Sequence, residues 1–153
     1  MKINTRVRYA VRMMADIASH ASRGPVPLRE VAERQGISRL YLSQLAAPLR
    51  NAGLLRSVWG NKGGYLTTRP PKEITLLEII EAVDGPVSVL DCVIDPALCD
   101  RSESCPALEV WRDINAAIVR ILERHTLEDL VRPSADAGAP APSVCIQPKI
   151  VGA

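Results

Sequence analysis

No stretch of about eighteen consecutive apolar residues occurs in this chain, so nothing in it is suited to span a bilayer as a helix. The N-terminus is basic, but charges interrupt its apolar residues, and the continuous apolar core of a secretory signal is missing. A cytoplasmic location is therefore expected. Histidine is scarce: His20 and His125 are the only two, and no nucleophile oriented by a base can be picked out, which sets catalysis aside. A length of 153 residues leaves room for one domain, or one domain with an attached arm, and not for a second catalytic domain. In a reducing compartment the 4 cysteines point to metal binding or redox chemistry ahead of structural disulfides.

Charge is present but unevenly divided. Up to Pro70, 12 Lys and Arg stand against 3 Asp and Glu, whereas beyond it 7 stand against 14. Halves of opposite sign suggest that the first meets a polyanion while the second does something else.

The basic half has an ordered pattern. Thr5 is placed to cap a helix whose apolar residues Val7, Ala10, Val11, Met14, Ile17 and Ala18 recur at helical spacing. Gly24 and Pro25 break the chain, and a short helix from Leu28 ends at Gln35-Gly36. Ile37 should plug the core, and Ser38 should cap a further helix that turns Leu42, Leu45 and Leu49 inward and stops near Gly53. Two short helices joined by a tight glycine turn form a helix-turn-helix pattern. Pro48 lies inside the second helix, where a bend or irregularity is expected. Arg56 to Trp59 and Gly64 to Thr67 then flank Gly60-Asn61-Lys62-Gly63, a hairpin with a glycine-rich, cationic tip.

Helix-turn-helix plus hairpin gives a mainly α fold class: a winged helix-turn-helix with a small β-hairpin wing and a long C-terminal dimerisation helix. Ser38, Arg39, Leu40, Tyr41, Ser43 and Gln44 are the expected contacts of the second helix with double-stranded DNA, with Lys2, Trp59, Asn61 and Lys62 as further contacts from the N-terminus and wing. Gln44 can pair with adenine, Arg39 with guanine or phosphate, and Tyr41 with phosphate. A merely solvated polar face is the default for any one of these residues, but the ordered pattern around them weighs against it for the set.

After Pro70-Pro71, Thr75 and Glu78 form a capping box for a helix carrying Leu76, Leu77, Ile79, Ile80 and Val83, ended by Asp84-Gly85-Pro86. Cys92, Cys99 and Cys105 follow within one acidic segment. Pro106 then opens a long helix to about His125, in which Trp111, Ile114, Ile118 and Ile121 alternate three and four apart like a helix–helix seam. Such a seam predicts a two-fold homodimer reading a palindromic site; a stripe spent wholly on the chain's own core is the alternative. The expected regions are residues 1–70 for DNA binding, 71–132 for sensing and dimerisation within the same compact unit, and 133–153 as a flexible arm, in which Cys145 is incidental.

These residues carry a resemblance. Arg8-Tyr9-Ala10-Val11, Val26-Pro27-Leu28, Arg34-Gln35-Gly36-Ile37-Ser38, Tyr41-Leu42, Gln44-Leu45 and Gly53-Leu54 are similar to the Rrf2 family of bacterial transcription regulators. Gly63-Gly64-Tyr65-Leu66, Glu81-Ala82-Val83-Asp84, the three cysteines and Trp111-Arg112-Asp113 extend the match over residues 2 to about 131. The resemblance implies a dimeric winged-helix repressor or activator in which the three cysteines hold an iron–sulfur cluster, of the 2Fe-2S or 4Fe-4S type. It also implies that oxygen, nitric oxide or iron shortage alters the cluster and hence DNA binding.

The chain departs from the family where some members carry further cluster ligands. Leu108 stands where several members have a histidine, and Arg8 and Arg12 stand where others lend a carboxylate or histidine to the partner subunit. The fourth ligand is left to Asp91, Asp95, Asp100, Glu103, Glu109, Cys145, a water or a small thiol. The first two cysteines are spaced one residue further apart than in some relatives, and Trp59 replaces a wing arginine, which shifts minor-groove recognition to Lys62 or weakens it. Three thiolates do not define the metal, so a metal-free thiol switch, a zinc site and purely structural cysteines remain open, as does a cluster-free regulator controlled by a protein docking on the acidic half. Zinc wants a fourth Cys or His at tight spacing, and none is present.

Overall fold

The computed structural model describes residues 3–60 and 62–131, Glu103 by its backbone alone. Lys2, Asn61, Cys145 and the arm from residue 133 lie outside the described residues. Six α-helices and one hairpin follow in order: α1 (Thr5–His20), α2 (Leu28–Gln35), α3 (Arg39–Asn51), β1 (Leu55–Val58), β2 (Gly64–Thr67), α4 (Leu76–Asp84), α5 (Asp91–Ile94) and α6 (Leu108–Arg124). Short 3-10 turns fill the connections. The expected winged helix is present.

The core is aliphatic with methionine, as a chain without phenylalanine requires. Met13, Met14 and Ile17 of α1, Val31 of α2, Leu42, Leu45 and Leu49 of α3, and Ile79 of α4 are fully buried together. Unbranched methionine side chains fill the irregular space where three helices converge on α1. Leu127 joins this core from beyond α6, because its N–H donates to the Ile74 carbonyl (2.8 Å) and the Leu76 N–H donates to the His125 carbonyl (2.9 Å). The end of the described chain is thereby stitched to the entry of α4.

Caps set the helix boundaries. Asn4, not Thr5, caps α1: its side-chain oxygen accepts from the Val7 N–H at 2.9 Å, while its amide donates to Asp84 at 2.8 Å. Thr5 is the first helical residue. Ser38 caps α3 and the Thr75–Glu78 capping box opens α4, both as expected. Partial burial acts to raise the Glu78 pKa, but bonds from the Thr75 N–H and Arg69 outweigh it and hold the carboxyl below its ordinary range. Helix α3 continues through Pro48 to Asn51 with no break. The proline leaves the Gln44 carbonyl without its intrahelical donor, and Gln44 is exposed, where water can serve instead. Helix α6 starts at Leu108, two residues later than expected, because Pro106 and Ala107 form a turn.

One buried polar group joins the first two helices. Asp16 of α1, whose side chain is 2% exposed, accepts from Arg34 Nη2 at 2.7 Å and Nε at 3.0 Å and from the Gln35 amide at 2.8 Å. Removing one side of such a pair leaves the other charge unmatched in low dielectric. Asp16→Ala should therefore lower unfolding stability by about 3 kcal/mol, read as a fall in the urea midpoint at fixed protein concentration.

Candidate nucleic-acid interface and cysteine segment

The turn between α2 and α3 orients the reading helix. Gly36 takes the left-handed conformation at φ 62°, and the Ile37 N–H returns to the Ala32 carbonyl, so Ile37 drops into the core at 5% exposure. From α1, Arg12 braces this turn by donating to both the side chain and the carbonyl of Gln35. Arg8 and Arg12 also lie over the Tyr9 ring, at 6.0 and 5.5 Å, and Tyr9 meets Tyr41 edge to face at 5.9 Å.

Those of the sequence-derived DNA contacts that the structure describes fall on the outer side of α3 and its N-cap and on the hairpin. Ser38, Arg39, Leu40, Ser43 and Gln44 are exposed, Leu40 at 73%, an unusual figure for a leucine with no role in the core. Tyr41 is half-buried against Tyr9. Trp59, at 92% exposure, and Lys62 stand at the wing tip. Strands β1 and β2 pair antiparallel from Leu55↔Thr67 to Val58↔Gly64, and a bridge between Val26 and Tyr65 (both bonds 2.9 Å) ties the wing to the leader of α2.

That bridge brings in a residue that sequence reasoning passed over. Arg29 of α2 lines a cleft of about 410 Å³ together with Arg39, Ser43, Gly63, Gly64 and Tyr65. Its only sequence signal is its place as a cation directly after the Pro27-Leu28 start of α2, within the strongly basic half.

The three described cysteines are free and half-buried, and they are spread along a segment of short helical turns. Cys92 lies in α5, Cys99 follows the 3-10 turn Pro96–Leu98, and Cys105 follows Ser102–Ser104 just before α6. Asn115 of α6 anchors the approach to this segment, accepting from the Val89 N–H at 2.9 Å and donating to the Val87 carbonyl at 3.3 Å. Soft thiols suit iron or an iron–sulfur cluster by donor type. Among the described residues, however, no group of three or more His, Cys, Asp or Glu side chains is gathered closely enough to hold a metal ion.

The residues weighed for the fourth position are placed unequally. Leu108 is buried at 7%. Asp95 is engaged in capping the Ala97 N–H at 3.0 Å, and Glu109 pairs with Arg112 at 2.6 Å. Asp91 and Asp100 are exposed, and the Glu103 side chain lies outside the described residues.

Helix α6 leaves most of its apolar stripe uncovered. Leu108 is its only buried residue, while Val110, Trp111, Ile114 and Ile121 are 39–56% exposed. Ile118 is half-buried and, with Leu122, lines a cavity of about 130 Å³ beside Val7, Ile80 and Pro86.

A family model described as Rrf2, iron-dependent transcriptional regulator, matches residues 3–133. The chain is 42% identical over 131 residues to the HTH-type transcriptional regulator IscR of Photorhabdus laumondii, covering 86% of this chain and 79% of that protein. Among solved structures, CymR, the global cysteine regulator of B. subtilis, superposes with a TM-score of 0.71 at 36% identity, covering 86% and 96% of the two chains. IscR of T. potens superposes with a TM-score of 0.67 at 37% identity, covering 86% of each.

The exposed face of α3 generates a test of the residue assignments. Gln44→Ala should change the base preference of duplex binding, whereas Lys62→Ala should weaken binding alike on all sequences, as read by binding to a panel of single-base variants. Equal, sequence-independent losses in both would overturn the assignment.

Proposed function

The chain belongs to the Rrf2 family and is a DNA-binding transcription regulator, and from that premise we propose that it works as a cytoplasmic homodimer whose grip on a palindromic operator is set by an iron–sulfur cluster. The first part of the reading is supported by the outer face of α3, where polar residues and an unburied leucine stand beside a wing carrying Trp59 and Lys62. Docked in the major groove, that helix presents Gln44 and Arg39 to base edges while the wing reaches the adjacent backbone or minor groove. No helix among the described residues is long and apolar enough to cross a membrane.

The dimer rests on α6. A 17-residue amphipathic helix that buries only its first residue in one subunit exposes an apolar face that water disfavours. A second copy covers it through the self-complementary contact that two-fold symmetry supplies, and two reading helices then face successive half-sites. Trp111, Ile114 and Ile121 make this contact, with Ile118 at its inner margin.

Cys92, Cys99 and Cys105 would hold the cluster, with the fourth ligand unassigned among the groups above. When bound, a cluster supplies thiolate-held iron whose state responds to oxygen, nitric oxide or iron supply. The single observation that carries this half is the set of three free, half-buried thiols in one segment tethered to α6 by Asn115. For the segment to control DNA binding, its loaded and empty forms must favour different dimer arrangements. A cluster-free thiol switch is the second reading, since three free, half-buried thiols in one segment offer redox chemistry without a metal.

Two measurements test the proposal. Anaerobically purified protein should be brown, with iron and sulfide in stoichiometric amounts, and Cys→Ser at positions 92, 99 or 105 should bleach it; a colourless protein containing zinc, or no metal after reconstitution, would sink the cluster. Ile114→Glu with Ile121→Glu should shift the protein from dimer to monomer in sedimentation and cut operator affinity by about tenfold or more, since each half-site then binds alone.

A further inference from the structure

We propose that Arg29 and Arg39 form a two-arginine clamp on a DNA backbone phosphate, seated in the cleft between α2, α3 and the base of the wing. The inference rests on the DNA-binding reading above and adds to it a contact from the first helix of the helix-turn-helix.

Four observations converge on the cleft. It is open, about 410 Å³ in volume, and no carboxylate lines it. Among the described residues neither Arg29 nor Arg39, like most of the arginines, takes part in an ion pair, so both guanidinium groups are available to a ligand. The nearest acid along α2, Glu30, is turned to Arg34 at 3.2 Å on another face. Two exposed guanidinium groups thus border one cleft with no counter-charge in its walls, and their summed positive potential draws an anion to it.

The cleft is built by the fold. The Val26–Tyr65 bridge pulls the wing base against the leader of α2, which places Arg29 opposite the N-terminal turn of α3 where Arg39 begins. Gly64 permits that approach, since a Cβ there would collide with the backbone of Val26 and Pro27. Gly63 likewise has no room for a Cβ beside the Val58 and Gly60 carbonyls. With no side chain at either glycine, open backbone borders the cleft, and Ser43 stands at its edge with its hydroxyl donated to the Arg39 carbonyl at 3.1 Å. Planar guanidinium forks match phosphate geometry, and the cleft lies between the two elements that straddle a duplex strand when α3 enters the major groove. The occupant is therefore a phosphate of the strand between the recognition helix and the wing, a contact that sets register without reading sequence.

The test measures duplex affinity against salt for the full chain, using a duplex selected from a randomised pool by the wild-type protein and a mixed-sequence duplex of about 30 base pairs. Arg29→Gln should lose about fivefold in affinity on both duplexes, Arg29→Gln combined with Arg39→Gln should in addition reduce the slope of log K against log salt by about 0.9, and Arg29→Lys should keep the wild-type slope. Unchanged affinity in Arg29→Gln, or an unchanged slope in the double variant, with normal wild-type binding, overturns the clamp and leaves the DNA-binding reading standing. A loss confined to the selected duplex overturns it too, because that outcome marks a base contact. Wild-type protein that binds neither duplex in a salt-dependent way overturns the DNA-binding reading itself. Arg29 is exposed, and matching thermal melting of the variants with wild type assigns any loss to the contact.

Discussion

A single buried carboxylate decides how the reading helix is carried. Asp16 lies in the middle of the aliphatic core region of α1, and its charge is tolerable there only because Arg34 and Gln35 meet it with three donor groups. Both partners belong to the last turn of α2, so α2 leaves α1 at one place and one angle. Arg12 closes on the same Gln35 from the opposite side, and Gly36 then turns the chain into α3. The direction of α3 is thus inherited from an interaction that α3 does not itself make.

The wing depends on the same frame through a different bond type. Backbone pairing of Val26 with Tyr65 joins the hairpin to the leader of α2, so the hairpin, the first helix and the reading helix form one braced unit. A two-stranded ribbon is marginal in isolation, and this bridge together with buried Leu54 and Leu55 supplies what it lacks. The Tyr9–Tyr41 contact adds a brace between α1 and the start of α3, under the cations Arg8 and Arg12.

The other half of the molecule is held less tightly by its own subunit. Helix α6 buries Leu108 beside Pro96 and Cys105 of the cysteine segment, anchors the approach to that segment through Asn115 and leaves its outer stripe bare. Control over a distance requires an element whose arrangement both sites bias. Helix α6 meets that requirement in position, since one end adjoins Cys105 and its length carries the apolar face.

Much of this was legible in the sequence, because helix and hairpin obey short-range rules. The period of Leu42, Leu45 and Leu49, the Ser38 and Thr75 caps and the glycine at position 36 are local signals, and each stands where local physics places it. Misreadings arose where a distant group decided the outcome. Asn4 outcompetes Thr5 as a cap while its amide holds Asp84, which is 80 positions away in the chain. The period of α6 likewise did not show that Ile118 lines a cavity with Val7 of α1 and Ile80 of α4. The periodic stripe of α6 could not reveal which of its residues face home.

Sequence alone determined the family, the winged-helix class, the division of charge and the supply of three thiols, since composition, periodicity and motif spacing are properties of neighbouring residues. Tertiary structure decided that Asp16 orders the turn, that Arg29 and Arg39 share a cleft bordered by two glycines, and that the three thiols are half-buried in their segment. These are contacts between residues far apart in the chain, and only the packing of helix on helix and wing on helix sets such distances.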